Sequence, residues 1–149
     1  MQPIRHIIAI FCLTLALPVA AQDLRDQGNA ATGWLNDFRV AKGRAPVSVS
    51  PKLTAAAAAH ARDMASRGFF SHTGSDGSGI GDRIRAQGYR FCFVAENIAK
   101  GQRSLEQVLE AWARSDGHRR NMLAKDASEF GLIQGAGTVW VMVLGHPGC

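Results

Sequence analysis

Apolar residues return at two different spacings along this chain, and the change of spacing marks its elements. Leu24, Ala31, Leu35 and Phe38 recur at roughly helical intervals with Trp34 beside them, which predicts a first helix from Asp23 to Val40, weakened by Gly28 and Gly33. Gly43 and Pro46 end it, and Pro46 to Ser50 alternates polar with apolar residues as a short extended piece. Ser50-Pro51 then signals a second helix, with Ser50 as cap and proline in the first helical position. The alanine-rich stretch Leu53 to Arg67 continues it until Gly68. Ser71 to Gly81 reads as a loop, followed by a short helix from Asp82, as its cap, to Gln87. Phe91 to Ala99 is an apolar run of strand type. Ser104 and Gln107 make a capping box for a helix through Leu105, Val108, Leu109 and Trp112. Asp116-Gly117 breaks it, and His118 to Leu123 adds a helical turn. Phe130 to Gln134 and Thr138 to Leu144 read as two strands joined at Gly135-Ala-Gly. Helices first, strands last and hairpin-type connections predict an α+β fold with an antiparallel sheet covered by helices.

The N-terminal pattern is of another kind. Ile7 to Leu17 is apolar but for Thr14 behind Arg5 and His6, Pro18 breaks it, and Val19-Ala20-Ala21 supplies small residues. This predicts a signal peptide over residues 1–21, cut after Ala21, leaving residues 22–149 as one domain. The alternative is an uncleaved anchor, although the run is short for a membrane span. No other stretch is apolar for long enough to cross a bilayer, so the expected location is exported, periplasmic or extracellular. Cys12 lies inside the apolar run and not at the cut, which argues against a lipoprotein anchor.

Hydrophobic residues make up 46% and charged residues 19% of the chain, which excludes a disordered tail. The net charge of +5 comes from scattered bases, not a stripe, so nucleic acid is not an expected partner. Two cysteines remain after the cut, Cys92 and Cys149. An even pair in an exported chain reads as a disulfide, the alternative being two free thiols.

The chemistry starts from Glu96, an acid set into an apolar run. Its desolvation is costly unless it is paired, hydrogen-bonded or metal-bound. There is no Gly-x-Ser-x-Gly elbow, no His-Glu-x-x-His and no Cys-x-x-Cys, so the usual hydrolase and zinc-protease signals are absent. The glycines of residues 71–81 lack the Gly-Lys-Ser/Thr ending of a phosphate cradle. What remains are His72 after Phe69-Phe-Ser, Glu96, and His118 three residues after Ser115. Two histidines and a carboxylate suit a divalent transition metal such as zinc, or equally a hydrogen-bonded polar cluster. His60 reads as a packed or surface histidine, and His146 as a surface one.

The motifs gain meaning together: His60-Ala-Arg-Asp-Met-Ala, Gly68-Phe-Phe-Ser-His-Thr, Arg83 with Gly88-Tyr89, Ala95-Glu-Asn-Ile-Ala, Trp112-x-x-Ser-x-Gly-His-Arg-x-Asn-Met-Leu, Phe130-Gly and Trp140-Val-x-Val-Leu-Gly. In this order they resemble the CAP superfamily (cysteine-rich secretory proteins, antigen five and pathogenesis-related proteins; SCP domains), in its bacterial exported branch. The resemblance implies a three-layer α-β-α sandwich with a large central cleft lined by two histidines and two acids, which in some members hold a divalent ion. It assigns His72 and His118 as the histidines and Glu96 as one acid. Where many members have Trp-x-x-Glu, this chain has Trp112-x-x-Ser115, so the second acid is missing. Asp76 is the nearby acid nominated in its place, and Ser115 is expected to orient His118 by a hydrogen bond. Asn97 is expected on loop backbone, Arg119 at a helix end, Asn121 on a neighbouring loop, and Trp112 and Trp140 in the core. Family members bind lipids, sterols, other small molecules, ions or proteins. The expectation is therefore a non-enzymatic binding module for a lipid, small-molecule, ion or envelope-protein ligand, with a metal-dependent hydrolase or peptidase as the alternative.

Overall fold

The computed structural model describes residues 23–149; the proposed signal peptide lies outside the described residues. Element order is β1 (Arg25–Asp26), α1 (Gly28–Val40), β2 (Ser48–Val49), α2 (Pro51–Arg67), α3 (Ile80–Ala86), β3 (Phe91–Lys100), α4 (Leu105–Arg114), α5 (Asp116–Met122), β4 (Glu129–Gly135) and β5 (Val139–Pro147), with a 3-10 turn over Ala136–Thr138 joining the last two strands.

The sheet runs β1-β4-β5-β3, and β2 also pairs with β4. β1 takes Ile133 and Gln134 of β4's outer edge, and β2 takes Glu129 and Phe130 of the same edge. The long pairings β3·β5 and β4·β5 are antiparallel as expected; the two-residue β2·β4 pairing is parallel.

Strand alternation divides the core into two layers. Trp140, Met142 and Leu144 of β5 face α1, α4 and α5 with Leu35, Leu109, Trp112 and Met122. Val139, Val141 and Val143 face α2 and α3 with Leu53, Ala57, Met64 and Ile84. This is the α-β-α sandwich. Gly131 lets α2 lie directly on the sheet: a Cβ there would sit 2.2 Å from the Thr54 nitrogen. Trp112 and Trp140 are both buried, as expected.

Four local expectations are corrected. The first helix starts at Gly28, because residues 25–26 extend along β4 and the Asp26 carboxylate accepts the Gly28 N–H at 2.8 Å. Ser50 occupies the cap position of α2 with Pro51 next, but its side chain makes no capping hydrogen bond. Asp82 is not the cap of α3; it sits in the first turn and accepts the Gly79 N–H at 3.0 Å. The break after α4 falls at Ser115, and Asp116 opens α5, where a carboxylate favours the helix N-terminus.

Arg39 ties the far side of the α1 layer together. It is fully buried, and its guanidinium donates to the carbonyls of Ala45, Met122, Ala124 and Ala127. Cys92 and Cys149 form a disulfide that closes 57 residues of separation and fastens the last residues to β3.

Candidate functional site

Register decides which way the site residues of β3 point. Glu96 is opposite Val143, and Asn97 is opposite Met142. Glu96 therefore turns toward the α2 and α3 layer, while Asn97 turns toward α4 and α5. The two histidines of the expected site come from these two layers and approach one another around the outer edge of β3.

Glu96 is buried, and both its oxygens are taken. Oε1 is 2.8 Å from His72 Nδ1, and Oε2 accepts from Arg83 Nη2 at 2.8 Å. His60 Nε2 stands 3.9 Å from Oε1. The Glu96 and Arg83 side chains are 3% and 8% exposed, whereas His72 is 59% exposed, so the arginine pair is dry and the histidine pair is partly wet. Arg83 also donates to the carbonyls of Ser78 and His72, fastening the loop that carries the histidine.

His60 holds the same loop from the other side, with its Nε2 2.8 Å from the Ser71 carbonyl. Donation to that oxygen puts the proton on Nε2 and leaves Nδ1, which is buried and has no partner, as an unused acceptor. Burial lowers the His60 pKa; the Glu96 charge opposes this without overcoming it.

Across the strand edge, His118 lies on α5. Its Nδ1 is 3.0 Å from the Ser115 hydroxyl, the contact expected from the three-residue spacing. Burial, and then the neighbouring His72, lower its pKa. Asn97 and Asn121 position this helix: Asn97 Nδ2 donates to the His118 carbonyl at 3.1 Å, and Asn121 Nδ2 donates to Asn97 Oδ1 and to the Glu96 carbonyl. The partner of Asn97 is thus a helix carbonyl, and that of Asn121 is the strand, in place of the loops expected for each. Arg119 donates to the Ala113 carbonyl in the last turn of α4, as expected of a helix-end cation.

His72 and His118 each have Nδ1 engaged and Nε2 left for a ligand. The expected three-ligand set of His72, Glu96 and His118 is not assembled. Glu96 is engaged by a guanidinium and an imidazole, and no group of three or more His, Cys, Asp or Glu side chains placed to hold a metal occurs among the described residues. The donors fit a two-nitrogen contact, in which Glu96 and Ser115 orient the rings from behind. Asp76 does not replace the missing acid: it accepts the Ser78 N–H within its own loop and lines an adjoining cavity of about 500 Å³ with Asp63, Asp82, His60 and Arg83.

Sequence reasoning missed His60 and Arg83 as members of this cluster. Both were legible by period. His60 shares a helical face with Ala56, Ala57 and Met64, and Arg83 lies beside Ile80 and Ile84. A base placed on an apolar face is the partner that a buried acid requires.

Comparison with solved structures places the fold among bacterial SCP domains. An extracellular SCP-domain protein of Bacillus anthracis superposes with a TM-score of 0.75 at 22% identity, over 80% of this chain and 40% of that one. An outer surface protein of Borrelia burgdorferi gives 0.75 at 18% identity, over 86% of this chain and all of that one. The sequence model of the cysteine-rich secretory protein family (CAP) matches residues 33–136, and this chain belongs to that family. The uncharacterized protein YkwD of Bacillus subtilis is 31% identical over 106 residues, which are 70% of this chain and 41% of YkwD. The uncharacterized membrane protein YlbC of the same organism is 29% identical over 65% of this chain and 28% of its own length, so this chain spans less than half of either relative. No helix among the described residues is long and apolar enough to cross a membrane.

Proposed function

We propose that this chain is an exported, non-enzymatic binding module, acting in the periplasm or outside the cell, with the His72, Glu96, Ser115 and His118 edge as its ligand site. The observation that carries this reading is the state of Glu96. A general base must face substrate and water, whereas this carboxylate is buried, with its side chain 3% exposed and its oxygens turned to Arg83 and His72. Glu96 then serves to fix the His72 tautomer, with the proton on Nδ1 and Nε2 open, as carboxylates do behind ligand histidines. The ligand class that suits two outward imidazoles is a polar group of a small molecule, lipid or envelope protein, or a weakly held divalent ion. Extracellular and outer-surface relatives support the location.

The test is equilibrium dialysis of the residue 22–149 protein with zinc, run beside a fluorogenic casein assay. Weak zinc uptake lost in both His72→Gln and His118→Gln, without casein hydrolysis, is the expected result. Hydrolysis that disappears in His72→Gln would overturn the binding-module reading in favour of a metal-dependent peptidase.

A further inference from the structure

The start of α2 opens onto a cavity of about 540 Å³ that no residue of the histidine site lines. Its walls include Ser50, Pro51 and Lys52, the cap and first two positions of that helix, together with Tyr89, Arg90 and Glu129. Pro51 has no N–H and Ser50 makes no capping hydrogen bond, so the first-turn amides of Lys52 and Leu53 have no side-chain partner. α2 is 17 residues long, and the end it presents here attracts negative charge. Lys52 and Arg90 add two exposed cations. Lys52 Nζ donates to the Gly88 carbonyl at 2.9 Å, and among the described residues neither cation has an acid within ion-pair distance.

Glu129 supplies the opposite pole. Phe130, next along β4, packs into the α1 layer, so Glu129 turns toward α2. Glu129 is half-buried and has no ion-pair partner among the described residues, a state in which a carboxylate calls for a cation or donor. Tyr89 is 4% exposed, and its hydroxyl is buried with no hydrogen-bond partner. Burial, and then Glu129, raise the Tyr89 pKa, so the hydroxyl stays neutral and adds no second negative charge. The two poles are close together: the Ser50 N–H, at the helix cap, donates at 2.8 Å to the carbonyl of Phe130, one residue from Glu129.

We propose that this cavity binds a zwitterion of the α-amino-acid kind, with its ammonium on Glu129 and Tyr89 Oη and its carboxylate at the α2 N-terminus beside Lys52 and Arg90. Both charges of the ligand follow from the walls. A simple anion would meet Glu129, and a simple cation would meet Lys52, Arg90 and the positive end of α2. A molecule carrying both charges a few bonds apart satisfies each pole. Its ammonium donates to the carboxylate and to the phenol oxygen, and its carboxylate accepts from the uncapped amides. The site shares no residue with the histidine pair, and its test leaves His72 and His118 intact in the parent protein.

The test is amide NMR with the probe L-leucine at millimolar concentration. Leucine should shift the amides of Lys52, Leu53 and Arg90 and leave those of His72 and His118 in place. Leucinamide, which lacks the carboxylate, and N-acetyl-leucine, which lacks the ammonium, should each bind about tenfold more weakly. Glu129→Gln should weaken leucine about tenfold and leave N-acetyl-leucine unchanged. Tyr89→Phe removes a hydroxyl that has no partner in the free protein, so that variant should melt no lower than the parent while binding leucine about fivefold more weakly. The double variant His72→Gln with His118→Gln should bind leucine as the parent does. No shift at the three amides, equal binding of either blocked derivative, full affinity in Glu129→Gln or Tyr89→Phe, or lost binding in the histidine double variant would each overturn the proposal.

Discussion

Arg83→Met offers the sharpest test of how the site is held. The Glu96 side chain is 3% exposed and that of Arg83 is 8%, so their contact at 2.8 Å is dry. Removing the guanidinium leaves a buried carboxylate whose remaining partners are two imidazoles, and breaking a buried pair from one side costs about 3–5 kcal/mol. For a domain of this size that lowers the melting temperature by roughly 10–20 °C. His72→Gln removes a contact of the same length, but 59% of the histidine side chain is exposed. Water screens that contact, and its loss should cost no more than about 1 kcal/mol. The double replacement Arg83→Met with Glu96→Leu takes both charges away together and should recover most of the single-variant loss. Urea denaturation of the four proteins measures all three differences. Equal losses in Arg83→Met and His72→Gln would refute the burial argument, and so would a double variant no more stable than Arg83→Met alone.

Three further outcomes follow from the packing. Gly131→Ala forces a Cβ to 2.2 Å from backbone of α2, so that helix must lift; thermal melting should show a loss of about 3 kcal/mol or more, with weakened protection of the Ser71–His72 segment in hydrogen exchange. The pKa values of His60 and His118 are both lowered from 6.5, so the unfolded chain binds more protons just below that value: the stability they contribute is complete above pH 6.5 and is lost as pH falls, and His60→Gln should flatten the decline between pH 7 and 5 in urea melts. Replacing Cys92 and Cys149 with serine reopens 57 residues of separation and should cost about 4 kcal/mol, read as a lower urea midpoint.

The parts legible in the sequence were those decided locally. Pro51, the alanines and Gly68 bounded α2 correctly, and β3 was visible as an apolar run with one acid in it. Glu96 could be singled out because an acid in such a run demands partners. Which partners it finds is a tertiary matter: Arg83 and His72 come from a helix and a loop whose approach is set by α2 lying on Gly131. The departure at Ser115 was visible, but its effect was not, because Asn97 and Asn121 fix α5 through contacts across elements. The two-residue strands β1 and β2 have no period to read; they exist because β4 offers them an edge.

Arg39 gives the two faces of the sandwich different responses to acid. The α2 and α3 face gathers its loop around the Glu96 carboxylate and the buried His60 imidazole, and the imidazole gains charge when protons are added. The α1 and α5 face is gathered by a guanidinium on four carbonyl oxygens, with no carboxylate among its hydrogen-bond partners. Burial and Arg44 lower the Arg39 pKa, yet a guanidinium remains charged through the acid range. Acid that charges the buried His60 imidazole thus loosens the histidine-bearing loop while the opposite layer keeps its fastening, so the molecule should come apart one face before the other.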